Sequence, residues 1–392
     1  MSRADHGWLP STPPGWTRTR VRNVCRVETG TRDTVEAVDG GEYPFFVRSE
    51  TPLAIDEFAY ETEAILTPGD GDVGHIFHHA QGRFNVHQRV YVFHAFRGAY
   101  PRFFYWWMSS QFRNVTDQGT AKSTVASLRR PMLIDFPVLL PPLATQRAIA
   151  DFLDRETAQI DAMIEAQANV STTLRVRANA VRASLLLRGW DGTNGVQLRR
   201  LVVCLDNHRI PLAAWERADR VGHVPYWGAN SIQGYVDDAL LDEDLVLLGE
   251  DGAPFLEKNR DVAFYSRGPI WPNNHIHVLR CRDGIDPRWV VHILNLVDYS
   301  TVVTGSTRLK LTQTAMNQIQ MPAPPPPEEQ HRLCNALDDE MARAQILAAE
   351  AQSVIDLLRE RRDALITAAV TGRIDPTTGI ERIDRTTEKE AS

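Results

Sequence analysis

The chain has 392 residues, room for two or three domains, and its 43% hydrophobic content is ample for buried cores. No apolar run reaches the roughly 18 residues of a membrane span, and the start, MSRADHGWLP, lacks a signal-peptide core. The net charge of −7 is unlike that of a small basic nucleic-acid-binding domain. The charge is uneven: residues 1–142 are neutral, 190–322 carry −3 and 323–392 carry −5. Cys25, Cys204, Cys281 and Cys334 form no CxxC pair, which excludes a zinc ribbon or disulfide framework and points to a cytoplasmic chain with reduced thiols.

Residues 1–142 read as a mixed helix-and-strand globule. EAILTPGD (63–70) and RVYVFHAF (89–96) are strand-like. RFFYWWMSS (102–110), a helix or strand without internal basic residues, reads as core rather than as a platform for stacking bases. GDGDVG (69–74) has neither the lysine nor the helix start of a phosphate loop, so it reads as a turn. HIFHH (75–79) would set its imidazoles on opposite strand faces without a supporting carboxylate motif, so loop or DNA-facing histidines are expected and no metal site.

A helical pattern then fills 143–189 and returns at 324–375, with a tail at 376–392. The two copies lie 184 residues apart. Pro141-Pro142 falls on Pro325-Pro326, Gln146 on Gln330, Leu153-Asp154 on Leu337-Asp338, and Leu174 on Leu358. Stepping 4,3,4,3 from Ile149 gives Ile149, Leu153, Glu156, Ile160, Met163, Gln167, Val170, Leu174, Arg177, Val181 and Ser184, seven of eleven apolar. The same walk from Leu333 gives nine of eleven, counting alanine. So narrow a stripe asks for a partner helix. At about 40 residues each helix would be roughly 60 Å long, and mutual packing of the two is the economical arrangement. The prolines punctuate the starts, and Gly189 and Gly372 are plausible stops.

Residues 190–323 repeat the order of the first globule. EDLVLLGEDGAPF (243–255), DVAFYS (261–266) and NNHIHVLR (273–280) are strand-like, and RWVVHILNLVDY (288–299) is a buried helix. In both globules a strand ends in an acidic glycine turn, Asp70-Gly71-Asp72 or Glu250-Asp251-Gly252. Glu250 and Asp251 read as turn residues holding a loop rather than as catalysts. Asn273, Asn274 and His275 read as buttresses of the fold more than as DNA contacts. A loop, GTAKSTVASL (119–128) or GSTRLKLTQTAM (305–316), precedes each proline run.

The twice-written PPxxxQ…LD helix start, PYWGANSIQGYVDD (225–238), LLGEDGAPF with WPNNHIHVL (271–279), and PFFVRSET with GRFNVHQRVY (82–91) resemble the specificity subunit of a type I restriction–modification enzyme, over nearly the whole chain. The second globule is similar to one common type of target-recognition domain, and the first matches a different type more loosely. The resemblance implies an α+β fold: two target-recognition domains, 1–142 and 190–323, joined by two long antiparallel coiled-coil spacer helices with pseudo-two-fold symmetry. It also implies that each domain reads half of a split target in double-stranded DNA. The helices then set the gap and dock two methyltransferase subunits, and two restriction (translocase–nuclease) subunits join. No cofactor is implied.

Catalysis would belong to the partners. The [DNS]PP[YF] loop of an adenine methyltransferase and the GxxxxGK[ST] phosphate loop are both absent, and GEDGAPFLEK lacks a nuclease spacing, so no catalytic residue is assigned. The candidates for DNA contact are exposed-looking loop residues: Arg83, His87, Gln88, Arg89, Arg113, Thr120, Lys122 and Ser123 in the first domain, and Lys258, Arg260, Arg308, Lys310, Thr312 and Gln313 in the second. Arginine suits guanine and glutamine suits adenine, while lysine and hydroxyls hold phosphates. Plain solvated surface is the bland alternative for each. The rival readings of the whole are a specificity subunit without a restriction partner, an enzyme with unrecognised motifs, and a coiled-coil scaffold that does not bind DNA.

Overall fold

The computed structural model describes residues 8–119, 127–190, 192, 195–257, 260–305 and 309–380. Both long patterns are single helices of 44 residues, Leu143–Leu186 and Pro327–Val370. Gly189 and Gly372 follow their ends with φ of 74° and 77°, the left-handed region that favours glycine. Contacts divide the chain inside these helices: Met1–Glu165 with Ile355–Ser392 form one compact unit, and Ala166–Val354 the other. Each globule therefore holds the start of one helix and the end of the other. Among the described residues no helix is long and apolar enough to cross a membrane.

Among its described residues the first unit has two four-stranded sheets and one two-stranded ribbon. One sheet runs Arg26–Thr29, Val90–His94, Ala64–Pro68, His78–Ala80, all antiparallel. The other runs Leu53–Ile55, Tyr43–Phe46, Arg83–Val86, Tyr60–Glu61, with its middle pair parallel. Thr17–Arg20 pairs with Pro137–Leu140 as the ribbon. The aromatic run is the helix Pro101–Gln111, which buries Phe103, Phe104, Trp106, Trp107 and Met108 in the main core, as the lack of internal charge predicts.

The second unit repeats this order. Its first sheet is Val202–Cys204, Ile276–Cys281, Leu245–Gly249, Ala263–Ser266, and its second is Ile232–Val236, Val224–Trp227, Pro269–Pro272, Leu241–Asp242, again with a parallel middle pair. Val196–Gln197 pairs with Gln320–Met321. The helix Pro287–Leu294 takes the place of the aromatic helix and buries Trp289, Val290, Ile293 and Leu294. The looser match expected of the first globule does not extend to its strand order, which is that of the second.

The repeated glutamine has a repeated task. Gln146 is buried; its Oε1 accepts from the Tyr100 amide at 2.7 Å, and its Nε2 donates to the carbonyls of Gly98 at 3.1 Å and Pro141 at 2.8 Å. Gln330 accepts from the Asp286 amide at 2.9 Å and donates to the carbonyls of Gly284 at 3.0 Å and Pro325 at 2.7 Å. Tyr100 and Asp286 are the N-cap residues of the core helices, so one side chain ties each long helix to its globule. The Leu-Asp pair repeats the device two turns further on. Leu153 and Leu337 are fully buried. Asp154 accepts from Arg102 at 2.8 Å and Trp106 at 2.9 Å; Asp338 pairs with Arg288 at 2.9 Å and His292 at 3.0 Å.

The inward stripe of the long helices differs from the expected seam at alternate positions. Leu153, Ile160, Gln167, Leu174 and Val181 face inward as stepped, but Thr157, Ile164, Ser171 and Ala178 replace Glu156, Met163, Val170 and Arg177. The second helix makes the same one-residue change, with Met341, Ala348, Ile355 and Arg362 in place of Glu340, Leu347, Val354 and Arg361. Met163, Val170, Leu347 and Val354 are left exposed, and in the second unit Ser171, Ala178 and Ala348 line a cavity instead of packing tightly. Arg362 reaches Asp161 at 2.9 Å within the first unit, and Arg177 lies 3.7 Å from Glu340 within the second.

Candidate nucleic-acid interface

In each domain the central strand of the first sheet runs straight into an acidic residue. Ala64–Pro68 leads to Gly69-Asp70-Gly71, and Leu245–Gly249 leads to Glu250-Asp251-Gly252. Gly71 at φ 83° and Gly252 at φ 66° make turns that other residues strain to adopt. The tail of the Gly-Thr or Gly-Ser loop is fastened to the same turn. Leu128 N–H donates to the Gly69 carbonyl at 2.7 Å, and Leu311 N–H to the Glu250 carbonyl at 2.7 Å. Isolated bridges join Asp70 to Ser127 and Asp251 to Lys310.

Both acidic side chains are sunk between cations. Asp70, 13% exposed, accepts from Arg48 Nη1 at 3.1 Å and from Arg89 Nη1 at 2.6 Å. Burial raises its carboxyl pKa, but the hydrogen bonds from Arg89 and Arg48 outweigh this and hold it below the usual carboxylate range. Glu250, 12% exposed, meets Arg209 Nη1 and, at 3.1 Å, Lys310 Nζ. Burial is again the largest influence, and again the bonded cations, Arg209 first, bring the net shift down. A cleft beside Asp70 is lined by Thr29, Gln88, Arg89, Tyr91 and Ser127.

Arg89, Gln88 and Lys310 are thus brought to the acidic turns. Gln88 donates to Asp33 Oδ2 at 2.7 Å. Arg83 sits apart, bonded to Glu61 at 3.1 Å with its guanidinium 4.8 Å from the Phe58 ring centre. His87 departs from the loop expectation: it is buried, and its Nδ1 accepts the Arg89 amide at 3.0 Å, so it shapes the turn from below. Burial, and then Arg48, lowers its pKa. Arg113 begins the helix Arg113–Gly119 rather than a loop, and lies 3.8 Å from Asp363. Arg260 pairs with its neighbour Glu257 at 3.2 Å. Thr312 is a helix cap whose hydroxyl accepts the Ala315 amide at 3.2 Å, and Gln313 is the exposed first residue of that helix. Thr120, Lys122, Ser123, Lys258 and Arg308 lie outside the described residues.

Sequence reasoning missed Arg48 and Arg209. A buried acid at a strand end requires counter-charges, but Arg48 is 22 residues before Asp70 and Arg209 is 41 before Glu250, and no local pattern links them. Around Arg209, Asp206, Glu250 and His277 bring ligand atoms within 4.8 Å of one another. Arg209 bonds both carboxylates, Asp206 Oδ2 lies 2.6 Å from His277 Nδ1, and His277 Nε2 lies 2.9 Å from the Leu311 carbonyl. The donors are used by an internal ion-pair network that braces the loop tail.

The profile of the family described as type I restriction modification DNA specificity domain matches residues 13–170 and 202–354. Over 121 residues the chain is 35% identical to a putative type I restriction enzyme specificity subunit, S.HindORF215P, of Haemophilus influenzae, covering 31% of this chain and 30% of that protein. Over 149 residues it is 30% identical to the type I restriction enzyme EcoDI specificity subunit of Escherichia coli, covering 38% and 33%. The matched segments span about a third of the length of each relative. A solved chain from work on the structural basis of complex assembly and conformational transition of the type I R-M system aligns over 92% of this chain and 99% of its own, with a TM-score of 0.64 at 14% identity, a likeness of fold. The profile matches one segment in each repeat, and together they cover most of the sequence, so the chain belongs to the type I restriction modification DNA specificity domain family.

Proposed function

We propose that the chain is the DNA-reading subunit of a type I restriction–modification complex. Each domain reads one half of a split target in double-stranded DNA, and the long helices set the gap. The chain docks two methyltransferase subunits and two restriction subunits, works in the cytoplasm and performs no catalysis of its own. One observation carries the reading: the same domain is built twice and fixed to the same helix start by the same buried glutamine, Gln146 or Gln330. Two copies of a reader on matched supports suit a target with two separated halves. Arg89, Gln88 and Lys310, held at the acidic turns, are the described side chains best placed for contact; Arg89 and Gln88 suit base edges and Lys310 a phosphate.

Co-expression with a partner methyltransferase, followed by sequencing of modified bases across the host genome, tests this. The expected result is one modified sequence of two short parts at a fixed spacing. Methyl transfer by the purified chain alone, or modification without sequence preference, would overturn it.

A further inference from the structure

We infer that Asp70 and Glu250 are positioning residues that restrain the cations beside them, so that these cations engage DNA only on the correct target. The inference rests on the reading of this chain as a DNA-sequence reader. It follows from a geometry found independently in both domains. A carboxylate just past the end of a central strand, largely but not fully buried, holds two cations beside the tail of the adjoining loop.

Its placement has a consequence for binding. Arg48 and Arg89 are 49% and 62% exposed and Lys310 is 51% exposed, so all three reach solvent while staying bonded to the acid. A DNA phosphate that approaches must displace a carboxylate already in place. On random sequence the gain is one anion exchanged for another, with little net return. On the target, base contacts hold the duplex close and drive the exchange. The anchors thereby lower background affinity and raise discrimination.

The two anchors differ in how many cations they restrain. Asp70 holds two outward arginines. Glu250 holds one outward lysine, because Arg209 is only 16% exposed and is also bonded to Asp206 and, at 3.0 Å, to the Ile276 carbonyl. Each freed cation adds about 0.9 to the salt slope of binding to duplex DNA. Asp70→Asn should therefore steepen the slope for random duplex by about 1.8, and Glu250→Gln by about 0.9.

The experiment uses the full chain assembled with its methyltransferase subunits. Binding to random duplex and to the modified target is titrated over a range of potassium chloride. The expected result is tighter binding of random duplex by both variants, slopes steeper in the ratio two to one, and lower discrimination confined to the variant's own half-site. Asp70→Glu should keep the wild-type slope, and adding Arg48→Gln to Asp70→Asn should take back about 0.9 of the gain. A loss of folding weakens binding to every sequence, and so does not mimic a gain of background affinity. Should Glu250→Gln fail to fold, the Asp70 variants carry the test. If the wild-type complex discriminates but Asp70→Asn leaves the random-duplex slope unchanged or shallower, the anchor role is wrong and the reader role stands. If the wild-type complex shows no sequence preference, both fall together.

Discussion

The two domains share a skeleton and differ at its tip. On the side of the long helices the correspondence is bond for bond: Gln146 and Gln330 make the same three hydrogen bonds, and Asp154 and Asp338 each bind an arginine at the second residue of the core helix. At the strand ends only the plan is kept. Asp70 binds two exposed arginines, whereas Glu250 binds an exposed lysine and a buried arginine that belongs to a wider network with Asp206 and His277. Bonds that attach a domain to its helix are constrained by backbone geometry and tolerate no alternative. Side chains at an outer turn need only a charge balance, and can vary with whatever the turn faces.

The first way to break the comparison is to cut the shared attachment. Gln146→Ala removes the partner of the Tyr100 amide and of the Gly98 and Pro141 carbonyls at a part-buried joint, and Gln330→Ala does the same for Asp286, Gly284 and Pro325. Each should destabilise its unit by about 2–3 kcal/mol. The two losses should be equal within error, since the bond sets are the same. Urea unfolding followed by tryptophan fluorescence measures both. A large loss in one and a negligible loss in the other would show that the attachment is not an equivalent device.

A second test separates the expected helix stripe from the observed one. Ile355 is buried and its neighbour Val354 is exposed, although the sequence walk chose Val354. Ile355→Ala should cost about 2–4 kcal/mol, and Val354→Ala about 0.5 kcal/mol or less. The reverse order would restore the original seam. The matching pair in the first copy, Ser171 and Val170, shows why the sequence misled. A valine beside a serine reads as the inward residue when polarity alone is weighed, yet the smaller side chain is the one that faces inward.

The larger plan was legible because it is periodic or repeated. The proline runs, the paired glutamines, the 44-residue helices and the main strands all leave patterns within a few residues of one another. The strand EAILTPGD and the core role of RFFYWWMSS were visible in the same way. What stayed hidden depends on long-range pairing. No spacing rule joins Arg48 to Asp70 or Arg209 to Glu250, and the burial of His87 depends on how its strand end turns under Arg89. Exposure was inferred from polarity, and polarity misjudged His87, which is buried and accepts a backbone amide.

The third test asks whether the tips act independently. Arg89→Ala should cost about 1–3 kcal/mol of discrimination at one base position of the first half-site. It should leave the second half-site unchanged. Lys310→Ala should weaken binding of the target and lower its salt slope by about 0.9, while binding of random duplex, where Glu250 holds the lysine back, changes little. The readout is binding of the assembled methyltransferase to a library randomised in both halves. A single substitution that relaxed both halves to the same extent would contradict two separate readers.

The smallest effect distinguishes the two aspartate anchors by pH. Asp154 accepts from the indole of Trp106, which does not titrate, whereas Asp338 accepts from His292. Burial, and then the nearby Arg182, lowers the His292 pKa in the folded chain; Asp338 and Asp261 oppose this without reversing it. A histidine whose folded pKa is depressed leaves stability intact above its unfolded value near 6.5 and loses it as pH falls toward the folded value. The wild-type second unit should therefore lose stability on acidification from pH 7.5 to 5.5, by at most about 1.4 kcal/mol per pH unit for one group. His292→Gln keeps a donor for Asp338 but cannot take up a proton, so it should lose less over the same interval. His78 and His87, whose pKa values are also lowered by burial, lie in the first unit and titrate alike in both proteins, so they cancel in the difference. Thermal unfolding of wild type and variant at matched pH gives that difference directly. Parallel curves would mean that His292 carries no proton linkage and that the indole and the imidazole serve their aspartates alike.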